Sequence, residues 1–130
     1  MTEKGSLLKG IRILAVDDEE AFLQMIRLTI EQHGYRVSTA SSGDLALELM
    51  QRDPPDVVLL DWQLPDRPAV SILADLHTLE RRPHVIVLCV KPEVEKEAKA
   101  AGADAFVTIT ASSDQLVAIL RKIRDGSLAL

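Results

Sequence analysis

Five short apolar runs alternate along the chain with longer segments of helical period. The runs are Ile11–Val16, Arg36–Ala40, Val57–Leu60, Val85–Val90 and Ala105–Ile109. Several are unbroken stretches of Val, Ile and Leu, the pattern of strands covered on both faces. Between them, Phe22, Ile26 and Ile30 recur every fourth residue before Gly34 and predict a helix over Glu19–His33. Ser41 stands at capping-box spacing before Asp44 and opens a second helix with Leu45, Leu49 and Met50 on one side, ended by Asp53-Pro54-Pro55. A third helix is expected over Pro68–Arg81, with Ile72, Leu73, Leu76 and Leu79 inward and Pro83 as its stop. Pro92 starts a short fourth helix that Gly102 terminates. Its apolar stripe of Val94, Ala98 and Ala101 is thin, so it should be the most weakly held. Ser112, at the same spacing before Gln115, caps a last helix carrying Leu116, Ile119, Leu120 and Ile123 and closed by Gly126.

Such regular alternation implies an α/β fold: one parallel sheet between two helical layers. No repeat, low-complexity tract or linker divides the chain, so one domain is expected over residues 10–125, with tails at 1–9 and 126–130.

Asp17 and Asp18 follow the first apolar run and Asp61 follows the third. In parallel strands these ends lie side by side, where open α/β sheets bind ligands. Three carboxylates then converge. At about 5 Å and an effective dielectric of about 20, each pair repels by roughly 3 kcal/mol. A cluster of this kind suits a hard divalent cation with oxygen ligands, most often Mg²⁺ acting on a phosphoryl group.

The 130 residues suffice for one core, and 47% hydrophobic with 27% charged residues excludes a disordered chain. A net charge of −5 argues against direct nucleic-acid binding, which wants a basic face. Cys89 is the only cysteine, so no internal disulfide can form. MTEKGSLLKG lacks the apolar stretch of a signal peptide, and no run is long enough to span a bilayer, so a cytoplasmic protein with no membrane partner is expected. Glu19 and Glu20 read as first-turn acids favoured by the helix dipole. His33, His77 and His84 share no ligand spacing and read as surface residues, as do Arg121, Lys122 and Arg124. Cys89, inside an apolar strand, reads as an inert packing residue.

ILAVDDEEAF, VVLLDWQLPD, VIVLCV and GADAFVTIT, in this order and spacing, resemble the receiver domain of bacterial response regulators over nearly the whole chain. The resemblance implies a flavodoxin-like doubly wound fold with strand order 2-1-3-4-5. It also implies a place in two-component phosphorelay signalling, with a histidine kinase or phosphotransfer protein upstream and a protein partner downstream. Asp61 would be the phosphoacceptor. Asp18 and Asp61 would bind Mg²⁺ directly, Asp17 through water, and the backbone carbonyl of Gln63 would complete the set. No catalytic residue beyond Asp61 is expected, and at most self-phosphorylation and dephosphorylation.

The chain also departs from that pattern. The family's hydroxyl residue and the small residue after it are Cys89 and Val90 here, and its Lys-Pro is Ile109-Thr110. Ala69 replaces a usual glycine, the Cys89–Gly102 loop is short, and only Phe106 keeps the family's aromatic position. Each lost charge-assisted contact is worth about 1.5–3 kcal/mol. Weakened switching is therefore expected at Cys89, Phe106 and Ile109. The alternative is a pseudo-receiver that docks a partner without phosphorylation. A Mg²⁺-dependent phosphohydrolase is disfavoured because Gln63 stands where a second Asp would be needed. A nucleotide-binding fold is disfavoured because no glycine-rich loop follows the first strand.

Overall fold

The computed structural model describes residues 11–108 and 114–125. Five parallel strands, β1 (Arg12–Val16), β2 (Arg36–Ala40), β3 (Val57–Asp61), β4 (His84–Cys89) and β5 (Ala105–Thr108), form one sheet in the order β2-β1-β3-β4-β5. The helices are α1 (Glu20–Glu31), α2 (Gly43–Arg52), α3 (Ala69–Leu76), α4 (Glu95–Ala100) and α5 (Asp114–Arg124). The doubly wound, flavodoxin-like expectation holds.

Each face of the sheet has its own core. Leu23, Ile26 and Ile30 of α1 and Leu116 and Leu120 of α5 cover Ile13, Ala15, Leu59, Ile86 and Val107. On the other face, α2, α3 and α4 bring Met50, Ile72, Leu73, Leu76 and Ala98 against Leu14, Val58, Leu60, Val87 and Phe106. Val57, Val58, Leu59 and Leu60 are fully buried, as a central strand roofed on both sides requires.

Several boundaries differ from the sequence expectation. Ser42, not Ser41, caps α2, its hydroxyl accepting the Leu45 N–H at 3.1 Å. The choice is tertiary: the Gly43 and Asp44 amides are taken by Asp66, which leaves the Leu45 amide for the serine. The third helix ends at Leu76 rather than Arg81: beyond His77 the backbone bonds shorten to i→i−3, Thr78 N–H to the Asp75 carbonyl and Leu79 N–H to the Leu76 carbonyl, each at 3.1 Å, and the Thr78 hydroxyl joins the Asp75 carbonyl at 2.7 Å. Leu79 still packs against the core from the turn that follows. β4 stops at Cys89 and leaves Val90 61% exposed.

The fourth helix opens with a 3₁₀ turn, Pro92–Val94, and Ala98 is its one buried residue. Val94 and Ala101 of the expected stripe are partly buried against the same core. Gly34 (φ 91°) and Gly102 (φ 112°) end their helices in the left-handed region, where other residues are strained. Ile109, Thr110, Ser112, Gly126 and both tails lie outside the described residues.

Candidate functional site

The sheet order reverses between β1 and β3, so a crevice opens at their carboxyl ends. Val16 pairs with Leu60, which sets Asp17 and Asp18 beside Asp61. The Asp17 amide donates to the Ala40 carbonyl at 3.1 Å, and its carboxylate accepts the Glu19 N–H at 2.8 Å. Asp17 is the buried charged residue among those described, at 7% exposure. Asp61 is half-buried and accepts the Gln63 N–H at 3.2 Å, while Trp62 continues the pairing with β4 through the Leu88 carbonyl at 3.2 Å. Asp18 is exposed. One carboxylate oxygen from each of the three lies within 4.8 Å of the others.

The electrostatics follow from that crowding. Burial pushes the Asp61 carboxyl up to about 6; the Gln63 amide opposes the shift and the charges of Asp17, Asp18 and Glu19 add to it. Burial also raises Asp17, against the Glu19 amide and with the help of the Asp18 and Glu19 charges. No described salt bridge involves Asp17, Asp18 or Asp61. Three converging oxygen donors without a salt-bridge partner among the described residues fit a hard divalent cation, which would relieve the repulsion.

The other candidate positions are apolar. Cys89 is 3% exposed and shares a core with Phe106, Val87 and Ala98; its sulfur takes the Lys91 N–H at 3.5 Å. Phe106 is 7% exposed, an inward-facing core side chain. His33 contacts the Thr29 carbonyl and His77 accepts from Arg82, so neither serves the cluster. His84 starts β4 half-buried rather than on the surface. Glu19 stands exposed at the start of α1, as expected, and its charge still reaches Asp17 and Asp61 from there. The sequence analysis missed Asp66, whose bonds reach the distant start of α2, and Arg67, whose i,i+4 bond to Ser71 is a local signal.

Residues 13–121 match the response regulator receiver domain model. The chain belongs to that family. It is 39% identical over 111 residues to the transcriptional regulatory protein KdpE of Mycobacterium tuberculosis, covering 84% of this chain and 49% of KdpE. To the phosphate regulon transcriptional regulatory protein PhoB of Escherichia coli it is 30% identical over 116 residues, covering 86% and 51%. The chain thus spans about half the length of the curated relatives it matches. Among solved structures, the chemotaxis response regulator CheY4 of Vibrio cholerae superposes with a TM-score of 0.80 at 26% identity, covering 87% of this receiver chain and 98% of that one. TrrA of Thermotoga maritima, solved in complex with Mg²⁺-BeF, shares the fold at 24% identity with a TM-score of 0.81 over 87% of this chain and 98% of TrrA. None of this receiver's described helices is long and apolar enough to cross a membrane.

Proposed function

We propose that this receiver domain accepts a phosphoryl group on Asp61 with Mg²⁺ in the acidic cluster, within a cytoplasmic two-component phosphorelay. The carrying observation is the convergence of Asp17, Asp18 and Asp61 oxygens within 4.8 Å at the switch point of the sheet. Asp18 and Asp61 would hold the cation directly, Asp17 would support it through water, and the Gln63 carbonyl would complete the protein's share. When bound, Mg²⁺ supplies positive charge that screens the carboxylates from incoming phosphoryl oxygens.

The donor is a phosphohistidine of a histidine kinase or phosphotransfer protein. An Asp61 oxygen attacks phosphorus, the new O–P bond forms as the N–P bond breaks, and the electron pair returns to the imidazole. With its carboxyl pushed up to about 6, Asp61 is mostly ionised at neutral pH and more basic than an ordinary aspartate. Asp17 is fixed by the Glu19 amide and Asp61 by the Gln63 amide, so both acids are oriented before the donor arrives. The domain acts as a phosphoacceptor rather than a turnover enzyme. It speaks to a downstream protein rather than to nucleic acid.

Switching is weakened. Cys89 is a poor hydrogen-bond donor, and Phe106 is packed into the same core. Ile109, which lies outside the described residues, carries no charge. The same apolar surroundings favour one second reading, a docking module that signals without phosphate. Intact mass spectrometry after incubation with Mg²⁺ and a small acyl phosphate separates the two. One phosphoryl addition to wild type and none to Asp61→Asn supports the phosphoacceptor; no addition to either supports constitutive docking.

A further inference from the structure

Residues 62–68 lead from β3 to α3, and a loop of this kind is held only at its ends unless side chains tie it down. Here Asp66 ties it to another element. Its two carboxylate oxygens accept the Gly43 and Asp44 N–H groups, each at 3.0 Å. These are the first amides of α2, donors without an intrahelical partner at the end of the helix that favours negative charge. The two bonds hold the Asp66 carboxyl below its usual range.

Arg67 secures the same loop on the other side. Its guanidinium donates to the Ser71 hydroxyl and to Asp75 at 2.8 Å, and it reaches Asp44 at 3.6 Å. Beneath the clasp, a Cβ on Gly43 would lie 2.8 Å from Ile72 Cδ1. Gly43 thus lets the start of α2 close onto α3. From Asp66 back to the cluster the path is short. Pro65 fixes one φ, Leu64 packs partly buried against the core, and the Gln63 amide donates to Asp61 at 3.2 Å.

We propose that Asp66 is a positioning residue: its grip on the start of α2 holds the Gln63 loop and the Asp61 carboxylate in the geometry that binds the divalent cation. The inference rests on the reading of Asp61 and Gln63 as cation ligands. It differs from a simple helix-capping role, because α2 has a side-chain cap of its own: Ser42 accepts the Leu45 amide, which Asp66 does not touch.

Mg²⁺ titration followed by Trp62 fluorescence separates the two roles. Asp66→Ala should weaken Mg²⁺ binding by about tenfold or more, as loss of an outer-shell partner does. Asp66→Asn keeps one acceptor oxygen and should fall between it and wild type. Ser42→Ala should lower the melting temperature while leaving Mg²⁺ affinity unchanged. Unchanged affinity in Asp66→Ala, or an equal loss in Ser42→Ala, overturns the proposal. Amide hydrogen exchange without metal supplies the second readout. Asp66→Ala should speed exchange at Gln63, Gly43 and Asp44, whereas Ser42→Ala should speed Leu45 alone. If wild type binds no Mg²⁺, the phosphoacceptor reading fails, and Gln63 exchange then decides the clasp by itself: faster in Asp66→Ala supports it, unchanged refutes it.

Discussion

The crevice has two unlike halves. Around β1, α2 and the β3–α3 loop it is polar and tied: Asp17, Asp61 and Asp66 each accept backbone N–H groups, and Arg67 bridges Ser71 and Asp75. Around β4, α4 and β5 it is apolar: Cys89 and Phe106 are buried, Val90 is exposed, and α4 buries Ala98 alone. Oriented acids can bind a cation and receive a phosphoryl group without help from the second half. A structural response needs contacts that differ between two states, and Cys89 offers little for a phosphoryl oxygen to hold. On the proposed function, capture and response are expected to be separable in this domain.

The largest effect is expected at the acceptor. Asp61→Asn should abolish labelling by a small acyl phosphate, read by intact mass; residual labelling would place the chemistry elsewhere. Next comes the stability of the product. With one cationic and one hydroxyl partner absent, the phosphoryl group loses about 3 kcal/mol, about a hundredfold in the transfer equilibrium. Wild type should label to low stoichiometry, and Cys89→Thr with Ile109→Lys should raise it. Near-complete labelling of wild type would show that the apolar half costs little.

The acid cluster should also set the pH dependence of the metal-free domain. Asp61 titrates near 6 in the folded state against 3.8 as an ordinary aspartate. Between those values the folded form holds a proton that the unfolded chain has lost, so stability falls as pH rises through this window. Allowing for partial exposure, the loss is on the order of 2 kcal/mol. Asp61→Asn should raise the melting temperature at pH 7 and flatten the slope from pH 4 to 6. A metal-free melting curve that rises with pH across that range would contradict the burial assigned to Asp61.

Asp18→Asn should weaken Mg²⁺ binding by more than Asp66→Ala does, since it removes a direct ligand rather than an outer partner, and should raise the metal-free melting temperature slightly, since one charge that repels Asp17 and Asp61 is gone. The smallest effect belongs to the outer tie: Ser42→Ala should cost about 1 kcal/mol by thermal denaturation.

The fold was legible because its signals are local. Unbroken runs such as Val57–Leu60 announce a doubly covered strand, and Gly34 and Gly102 stop helices through their own φ angles. The cluster was legible because Asp17, Asp18 and Asp61 terminate runs that must pair. What escaped depends on tertiary contact. Two adjacent serines cannot be ranked as caps until Asp66 occupies the amides between them and Leu45. The early end of α3 is a local exception: its last turn tightens to i→i−3 bonds at Thr78 and Leu79, which hydrophobic periodicity does not report. The Asp66 clasp joins positions with no shared local pattern, so only the folded chain reveals it.

The most direct measurement records backbone amide shifts on adding Mg²⁺ with beryllofluoride, an acyl-phosphate mimic. Separable capture and response predicts large changes at Asp17, Asp18, Asp61 and Gln63, with residues 94–101 and 116–123 nearly still. Comparable shifts in those two distant segments would contradict it.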